Sequence, residues 1–234
     1  MKKAIFAICF LGLTSSVLAA VAPDFMEKLT AESRPAEDRT RDGARHPYQV
    51  MQLLGVDAGD TVVDIGAGGG WYTRVLSAAV GPTGKVVAQF GPRALQRENG
   101  QAQKDLAAAL GNTEAFFGDV SELTANSFDA AVTALNMHHG NAERNVPYLR
   151  QILGVLKSGG VAAIIDHVGL AEIDNSGLHR MTVADARQWI RDAGFEIVEE
   201  SDILRTAADD HTLAVNDPIL GRNSDRFLFI VRKP

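Results

Sequence analysis

The stretch that decides the fold is Thr61-Val-Val-Asp64-Ile-Gly66-Ala-Gly68-Gly-Gly70, followed by Trp71-Tyr72-Thr73. It has the pattern of a buried β-strand, a glycine-rich turn and the first residues of a helix. In an open α/β sheet, ligands bind beyond the carboxyl ends of the strands. Glycines there let the backbone approach a ligand, and the free N–H groups that begin a helix suit an anionic group. The sequence therefore predicts a ligand site over Gly66–Gly70, the glycine loop.

Strand and helix signals alternate on both sides of this loop. Apolar and β-branched runs predict strands over 61–65, 85–90, 114–117, 128–134, 161–165, 195–198 and 226–231. Helices are predicted from Tyr48 to a stop at Gly55, and over 71–80, 94–110, 143–156 and 183–193, with Thr182 and Gly194 capping the last. Short apolar strands that alternate with helices are typical of a doubly wound, mostly parallel α/β sheet.

The first residues carry a targeting pattern. Met1-Lys2-Lys3 precedes an apolar run, and Val17-Leu-Ala19 places small residues where a signal peptidase cuts. The apolar run of about ten residues is too short to cross a bilayer, which takes about twenty. We therefore expect residues 1–19 to be a cleaved signal peptide, and the mature protein to be periplasmic or secreted without stable membrane insertion.

Composition narrows the class of partner. Cleavage would remove Cys9, the sole cysteine of the sequence, and with it any disulfide or thiol nucleophile. The formal charge of −6 becomes about −8 once the charges of Lys2 and Lys3 are lost. An acidic chain without a basic stripe disfavours nucleic acid and favours a small-molecule partner.

Residues 20–45 are expected to form a charged, solvated helical segment ahead of an α/β domain over 46–234.

Other ligand motifs fail at one or two required positions. The dinucleotide motif G-x-G-x-x-G would need a glycine where the chain has Trp71. The phosphate loop G-x-x-x-x-G-K-[ST] would need a glycine in place of Ala79 and a hydroxyl residue in place of Val86. Neither G-x-S-x-G nor H-E-x-x-H occurs, which argues against a hydrolase. The pattern that remains is an acid, Asp64, followed by glycines at alternate positions.

That spacing resembles the first motif of class I S-adenosylmethionine (SAM) dependent methyltransferases. The resemblance continues through Gly118-Asp-Val120, Phe128-Asp129 and Leu156-Lys-Ser-Gly-Gly160. The segments Arg34-Pro-Ala-Glu-Asp-Arg39, Gly68-Gly-Gly-Trp-Tyr-Thr73 and Asp210-His-Thr212 also resemble a group of exported bacterial methyltransferase-like proteins. The resemblance implies a Rossmann-like sheet of seven strands in the order 3-2-1-4-5-7-6 with the last strand antiparallel, SAM as cofactor, and methyl transfer as the activity.

The same resemblance implies the residues that bind SAM: Asp64, Gly66, Ala67, Gly68, Gly70, Tyr72, Gln89, Asp119, Val120 and Asn136. Asp64 would hydrogen-bond near the glycine loop, and Asp119 would meet the adenine amino group with Val120 beside the ring. For both aspartates, turn propensity leaves loop capping as the alternative. Tyr72 would either cover the cofactor or pack as a first-turn aromatic residue.

Gln89 departs from the family pattern. The family usually has Asp or Glu at the end of the second strand, where a carboxylate accepts both ribose hydroxyls. A glutamine can replace only part of this interaction, because charge-assisted hydrogen bonds are about twice as strong as neutral ones. If Gln89 holds the ribose, we expect Gln89→Glu to tighten SAM binding.

Candidate reacting groups follow the fourth and fifth strands. Asn136-Met-His138-His139 points at the expected substrate side, and a histidine can act as a base near neutral pH. Asp166 lies at the next strand end, while His46 and Asp210-His211 can fold over the rim. We take His138, His139 and Asp166 as catalytic candidates, although positioning alone can support methyl transfer. Adjacent histidines on an extended segment face opposite sides, so no metal site is predicted.

Two functions remain open. The first is a SAM-dependent methyltransferase that acts on an unknown small-molecule or protein acceptor in the cell envelope. The second is a non-catalytic protein of the same fold that binds a nucleoside-like or carboxylated small molecule, since fold does not imply function. Export and Gln89 favour the second, while the glycine loop and Asp119 favour the first.

Overall fold

A seven-stranded sheet runs through residues 20–234, the part of the chain that the computed structural model describes. The predicted signal peptide, residues 1–19, lies outside the described residues. The strands are β1 Thr61–Ile65, β2 Lys85–Phe90, β3 Thr113–Phe117, β4 Phe128–Ala134, β5 Leu156–His167, β6 Glu196–Ser201 and β7 Arg226–Arg232. Their order in the sheet is β3-β2-β1-β4-β5-β7-β6, as the resemblance implied.

Pairing in the sheet is parallel except around β7. β1 pairs in parallel with β2 and β4, and β4 pairs in parallel with β5. β7 lies antiparallel to both β5 and β6. The carboxyl ends of β1, β2, β4 and β5 therefore meet at one edge of the sheet, where ligands bind in folds of this kind.

Helices cover both faces of the sheet. They are α1 Phe25–Thr30, α2 Ala36–Arg45, α3 Pro47–Leu54, α4 Trp71–Val80, α5 Gln101–Leu110, α6 Ala142–Val155 and α7 Val183–Ala193. Apolar residues of α1, α3 and α4 pack on one face, and those of α6 and α7 pack on the other. Of the helices described, none has the length and apolar character that a membrane crossing requires.

Two predicted boundaries were wrong. The helix predicted over 94–110 begins only at Gln101, because short 3₁₀ turns precede it and Asn99 adopts a left-handed backbone conformation. The strand predicted over 161–165 is longer, because β5 spans Leu156–His167. Phe128 of β4 pairs with Leu156 and Ala130 pairs with Val161, so residues 157–160 form a register shift between the two strands. The Lys233 N–H donates to the Gly160 carbonyl in this stretch.

The charged N-terminal segment is not the solvated helix that was expected. Phe25 and Leu29 of α1 are buried in the core beside α4. The buried Arg34 guanidinium pairs with Asp42, and the Arg74 guanidinium of α4 lies 3.0 Å from the carboxylate of Asp38. Burial of one apolar face and internal pairing of the charges therefore join residues 20–45 to the α/β domain.

Candidate functional site

The glycine loop has a left-handed backbone at alternate positions. The φ angles of Gly66, Gly68 and Gly70 are 67°, 56° and 79°. A Cβ on Gly66 would lie 2.6 Å from Asn136 Nδ2, and a Cβ on Gly70 would lie 2.2 Å from a methyl carbon of Leu106. At Gly68 the nearest atom would be the Gly66 carbonyl oxygen, 3.8 Å away. Protein packing therefore restricts positions 66 and 70, while position 68 faces open space.

Asp64 supports the loop from beneath. Its side chain is buried, and Oδ2 accepts a hydrogen bond from the Thr73 hydroxyl at 2.6 Å. Burial raises the pKa of the Asp64 carboxyl to about 6, against the opposing hydrogen bonds from Thr73. The contact joins β1 to the first turn of α4.

Gln89 has a different role from the one expected. The Gly66 N–H donates to Gln89 Oε1 at 2.8 Å, and Gln89 Nε2 donates to the Gly118 carbonyl at 2.7 Å. The side chain is buried, and both ends of its amide are engaged by backbone groups. Gln89 therefore bridges the glycine loop and the turn after β3, and its amide is not presented to a ribose.

Asp119 and Tyr72 adopt the structural alternatives left open by the sequence. Asp119 caps the 3₁₀ turn Val120–Glu122 through a reciprocal pair of hydrogen bonds with Glu122, while its side chain stays exposed. Val120 beside it is buried. Tyr72 is buried in an edge-to-face contact with Trp71, and burial raises the pKa of its hydroxyl to about 12. Tyr72 therefore packs in the core instead of covering the loop.

Asp166 organises the turn after β4. Its carboxylate is fully buried, and Oδ2 accepts the backbone N–H groups of Met137 at 2.8 Å and His138 at 3.0 Å. Oδ1 lies 2.6 Å from His138 Nδ1 and accepts the His167 N–H at 2.8 Å. With every oxygen engaged by the protein, Asp166 is a positioning residue, and the catalytic role expected for it is not supported.

The two adjacent histidines do not lie on an extended segment. The Gly140 N–H donates to the Met137 carbonyl, so His138 and His139 are the two central residues of a tight turn. Their ring centroids are 3.9 Å apart. The reason given for expecting no metal site was therefore wrong, because a turn directs the two rings to the same side.

A third histidine completes a cluster that the sequence reasoning missed. The His179 ring centroid lies 5.7 Å from that of His138 and 5.4 Å from that of His139. His179 belongs to the segment between β5 and α7, and no spacing motif connects it with residues so far back in the chain. Burial, followed by the neighbouring charges of His138 and His179, lowers the pKa of His139.

The other candidate histidines lie elsewhere. His46 occupies the left-handed hinge between α2 and α3. His211 Nε2 lies 2.8 Å from Asp225 Oδ2, so this residue anchors the loop before β7. His167 Nδ1 lies 2.8 Å from the Ser224 hydroxyl, and burial lowers the pKa of His167 to about 3.

A cavity of about 310 Å³ opens beside the carboxyl ends of β4 and β5. Leu135, which follows β4, and His167, the last residue of β5, contribute to it. Four arginines line it: Arg41, Arg45, Arg222 and Arg226. Among the described residues that line the cavity none is acidic. Burial lowers the pKa of Arg226 to about 10, and burial also lowers the pKa of Arg45. The cavity therefore concentrates partly desolvated positive charge.

Comparison with known proteins finds similarity to methyltransferases over part of the chain. Residues 62–160 match a family described as "Methyltransferase domain". Demethylmenaquinone methyltransferases from several Staphylococcus aureus strains, including JH9 and Newman, are 33% identical over 125 residues, which is 50% of this chain and 47% of theirs. The matched part thus spans less than half the length of these curated relatives.

Solved structures show the same fold. A SAM-dependent methyltransferase from Aquifex aeolicus superposes with a TM-score of 0.62 at 20% identity, covering 91% of this chain and 99% of that one. The [4+2]-cyclase SpnF gives a TM-score of 0.60 at 20% identity, covering 88% of this chain and 85% of that one. The structural likeness thus shows the fold, and within it residues 62–160 also match a methyltransferase domain in sequence.

Proposed function

We propose that this protein is a SAM-dependent methyltransferase whose acceptor is a small anionic molecule. The observation that carries the proposal is the glycine loop, in which Gly68 and Gly69 face open space at the sheet edge. The match of residues 62–160 to a methyltransferase domain supports it. The loop has the backbone conformation that a close-lying ligand requires, and its other two left-handed glycines are fixed by packing.

The residues present fit the cofactor in part. Gly66–Gly70 and the N-terminal N–H groups of α4 would hold its amino-acid portion. The exposed Asp119 carboxylate and the buried Val120 side chain would meet the adenine. When bound, SAM supplies a methyl group made electrophilic by the sulfonium. Gln89 offers no carboxylate to the ribose, so we expect weaker ribose recognition than in relatives that carry an acid there.

The arginine-lined cavity supports the anionic acceptor. Within residues 20–234, neither Arg45 nor Arg226 has an ion-pair partner, and the buried Arg226 Nε has no hydrogen-bond partner. Arg45 instead lies over the Trp71 ring at 4.8 Å. Arg226 donates to the Ala44 and Arg222 carbonyls, and Arg45 is half-buried. Because neither guanidinium has a carboxylate partner among the described residues, an incoming carboxylate or phosphate would form charge-assisted hydrogen bonds with them.

An acceptor that is already ionised needs no general base. His167, the imidazole that lines the cavity, is neutral because burial lowers its pKa to about 3. Its contribution is therefore orientation, through the contact with Ser224. Positioning and exclusion of water by the cavity walls then account for catalysis, since effective molarities from such positioning are large.

The alternative is a protein of this fold that binds a ligand without methyl transfer. The engagement of Gln89 by two backbone groups favours it, because the usual ribose contact is absent.

We also propose that the protein is exported to the cell envelope. This proposal predicts a mature N-terminus at Ala20 or Val21, and N-terminal sequencing that finds Met1 on the natural protein would remove it.

A binding titration followed by a methyl-transfer assay distinguishes the two functions. The purified protein is titrated calorimetrically with SAM and S-adenosylhomocysteine, then incubated with methyl-labelled SAM and a panel of carboxylates, phenolates and phosphate esters. Binding with label transfer to an anionic acceptor supports the proposal. Binding without transfer to any acceptor favours the alternative, and the absence of binding to either compound overturns the assignment of the loop.

A further inference from the structure

Three histidines beside the carboxyl ends of β4 and β5 have the arrangement of a metal-binding site. One ring nitrogen from each of His138, His139 and His179 lies within 4.8 Å of the other two. We propose that these three residues, the His cluster, bind a divalent transition-metal ion, with Zn²⁺ as the best fit. The proposal stands on the geometry of the cluster and does not depend on the function proposed for the glycine loop.

The turn after β4 presents two of the ligands. β4 and β5 are neighbours in the sheet, so the turn after β4 lies directly beside Asp166 near the end of β5. The Asp166 carboxylate accepts the N–H groups of Met137 and His138 and thereby fixes the turn. The buried Asp166 carboxylate therefore fixes the backbone turn that places the rings of His138 and His139 next to each other.

Asp166 also prepares His138 as a ligand. At 2.6 Å from Asp166 Oδ1, His138 Nδ1 is held as the donor, which leaves the Nε2 lone pair free. Metal-binding histidines almost always donate their second ring nitrogen to a carboxylate, carbonyl or water in this way. The buried pair therefore supplies the orienting contact that a metal-binding histidine needs.

The third ligand is held by a separate buried contact. His179 adopts a left-handed backbone conformation with φ of 57°, uncommon for a residue other than glycine. The next residue, Arg180, is fully buried and forms an ion pair with Asp209 at 2.9 Å, and it also donates to the Val168 and Leu213 carbonyls. Through these contacts Arg180 fixes the backbone next to His179.

Packing does not account for the cluster. Across residues 20–234, the side chains of His139 and His179 have no hydrogen-bond partner, and both reach solvent. Histidines used in packing normally satisfy a ring nitrogen within the protein, as His167 and His211 do here. Two accessible imidazoles with free nitrogens therefore face a third whose orientation is already fixed.

The distances suit a small ion after modest side-chain rotation. Zinc–nitrogen bonds of about 2.0–2.1 Å at tetrahedral angles place the ligand nitrogens about 3.3 Å apart. The nitrogens must approach by about 1.5 Å at most, which rotation of the accessible His139 and His179 side chains allows. Imidazole ligands select Zn²⁺, Cu²⁺ or Ni²⁺ over Mg²⁺ and Ca²⁺. Three histidines leave a fourth position for water or another oxygen ligand.

The test uses the full, tag-free protein, stripped of metal by a chelator and titrated calorimetrically with Zn²⁺ alone. We expect one ion per chain with micromolar or tighter affinity. His139→Ala and His179→Asn should each weaken binding at least tenfold, with asparagine chosen because it tolerates the left-handed conformation. The matched control is His46→Asn, which removes a histidine at another left-handed position and should leave the affinity unchanged.

Two further results decide the proposal. Asp166→Asn should weaken Zn²⁺ binding by about 10–100-fold, as loss of an orienting carboxylate does, with circular dichroism confirming that the variant is folded. The proposal is overturned if the wild-type protein takes up no Zn²⁺ in the micromolar range. It is equally overturned if His46→Asn weakens binding as much as His139→Ala. None of these measurements involves SAM, so they stand apart from the test of the proposed function.

Discussion

The side-chain oxygen of Gln89 accepts a hydrogen bond from the backbone N–H of Gly66 at 2.8 Å. Because the other end of the same amide donates to the Gly118 carbonyl, one buried side chain joins the glycine loop to the turn that carries Asp119. Gln89 thus fixes the glycine loop and the Asp119 turn, the two parts of the proposed cofactor site, relative to each other. The sequence analysis had instead predicted that Gln89 binds the cofactor.

Gln89→Glu should therefore destabilise the protein instead of tightening SAM binding. A glutamate can still accept from Gly66, but its second oxygen would face the Gly118 carbonyl with no hydrogen to donate. An unsatisfied buried group of this kind costs about 1–3 kcal/mol of unfolding free energy, and more when it is charged. Urea unfolding measures the loss, with the exposed Gln49→Glu as a control of equal charge change. Unchanged stability together with tighter SAM binding would restore the ribose role.

Gly68→Val should abolish SAM binding while the protein stays folded. The valine methyl groups would fill the open space above the loop, where no protein atom other than the Gly66 carbonyl lies within 4 Å of the Cβ position. The left-handed backbone adds a stability cost of about 1–2 kcal/mol. Gly111→Val is the matched control, because it has φ of 75° and open surroundings outside the loop. Calorimetry that finds equal SAM affinity in both folded variants would contradict the assignment.

Asp64→Asn should change the pH dependence of stability. The folded-state pKa of Asp64 is raised to about 6, so between about pH 4 and 6 the folded protein holds a proton that the unfolded chain releases. This group thus makes stability fall as pH rises through that window, by about 3 kcal/mol in total. The asparagine variant should lack this fall, and urea midpoints from pH 4 to 7 measure it. Identical pH profiles for wild type and variant would reject the buried-acid account, and Asp105→Asn provides an exposed control.

Arg180→Met should cost about 3–5 kcal/mol, because it leaves the Asp209 carboxylate buried without its partner. The double variant Arg180→Met/Asp209→Leu should recover much of that loss, since replacing both partners by apolar groups is often neutral. Denaturant unfolding of the wild type, the single variant and the double variant measures the loss and its recovery. A single variant as stable as the wild type would show that the pair does not hold the segment before α7.

Benzoate should raise the melting temperature of the protein more than benzamide does, since the two probes share a shape and differ in charge. The partly desolvated guanidinium groups of Arg45 and Arg226 would attract the anion. Arg45→Met should remove most of the difference between the probes. Thermal unfolding with each probe measures it, and equal shifts in the wild type would argue against an anionic acceptor.

The sheet was predictable from local pattern. The strands β1, β2, β4 and β7 are short apolar runs, and the alternate glycines after Asp64 are required by three left-handed backbone positions. Local pattern also located Thr182 and Gly194 as the caps of α7, which the structure confirms. These features depend on residues close together in the chain.

The missed features depend on residues far apart in the chain. His179 joins His138 only through the adjacency of β4 and β5 and the fold of the segment before α7. The role of Gln89 is set by the turn after β3, and a residue type alone does not reveal which backbone groups surround it. The burial of Arg34 and Asp38 likewise requires α2 to dock on α4, which a charge pattern does not show.

The walls of the arginine-lined cavity and the glycine loop come from separate stretches of chain. Residues 40–45 of α2 and residues 215–226, which end at the first residue of β7, supply most of the walls, whereas the loop belongs to the β1–α4 connection. Under the proposed function, substitutions confined to these two segments would change the acceptor and leave the sheet and the loop intact. Such a division lets one ancestral scaffold give rise to enzymes that share a cofactor and differ in their substrates.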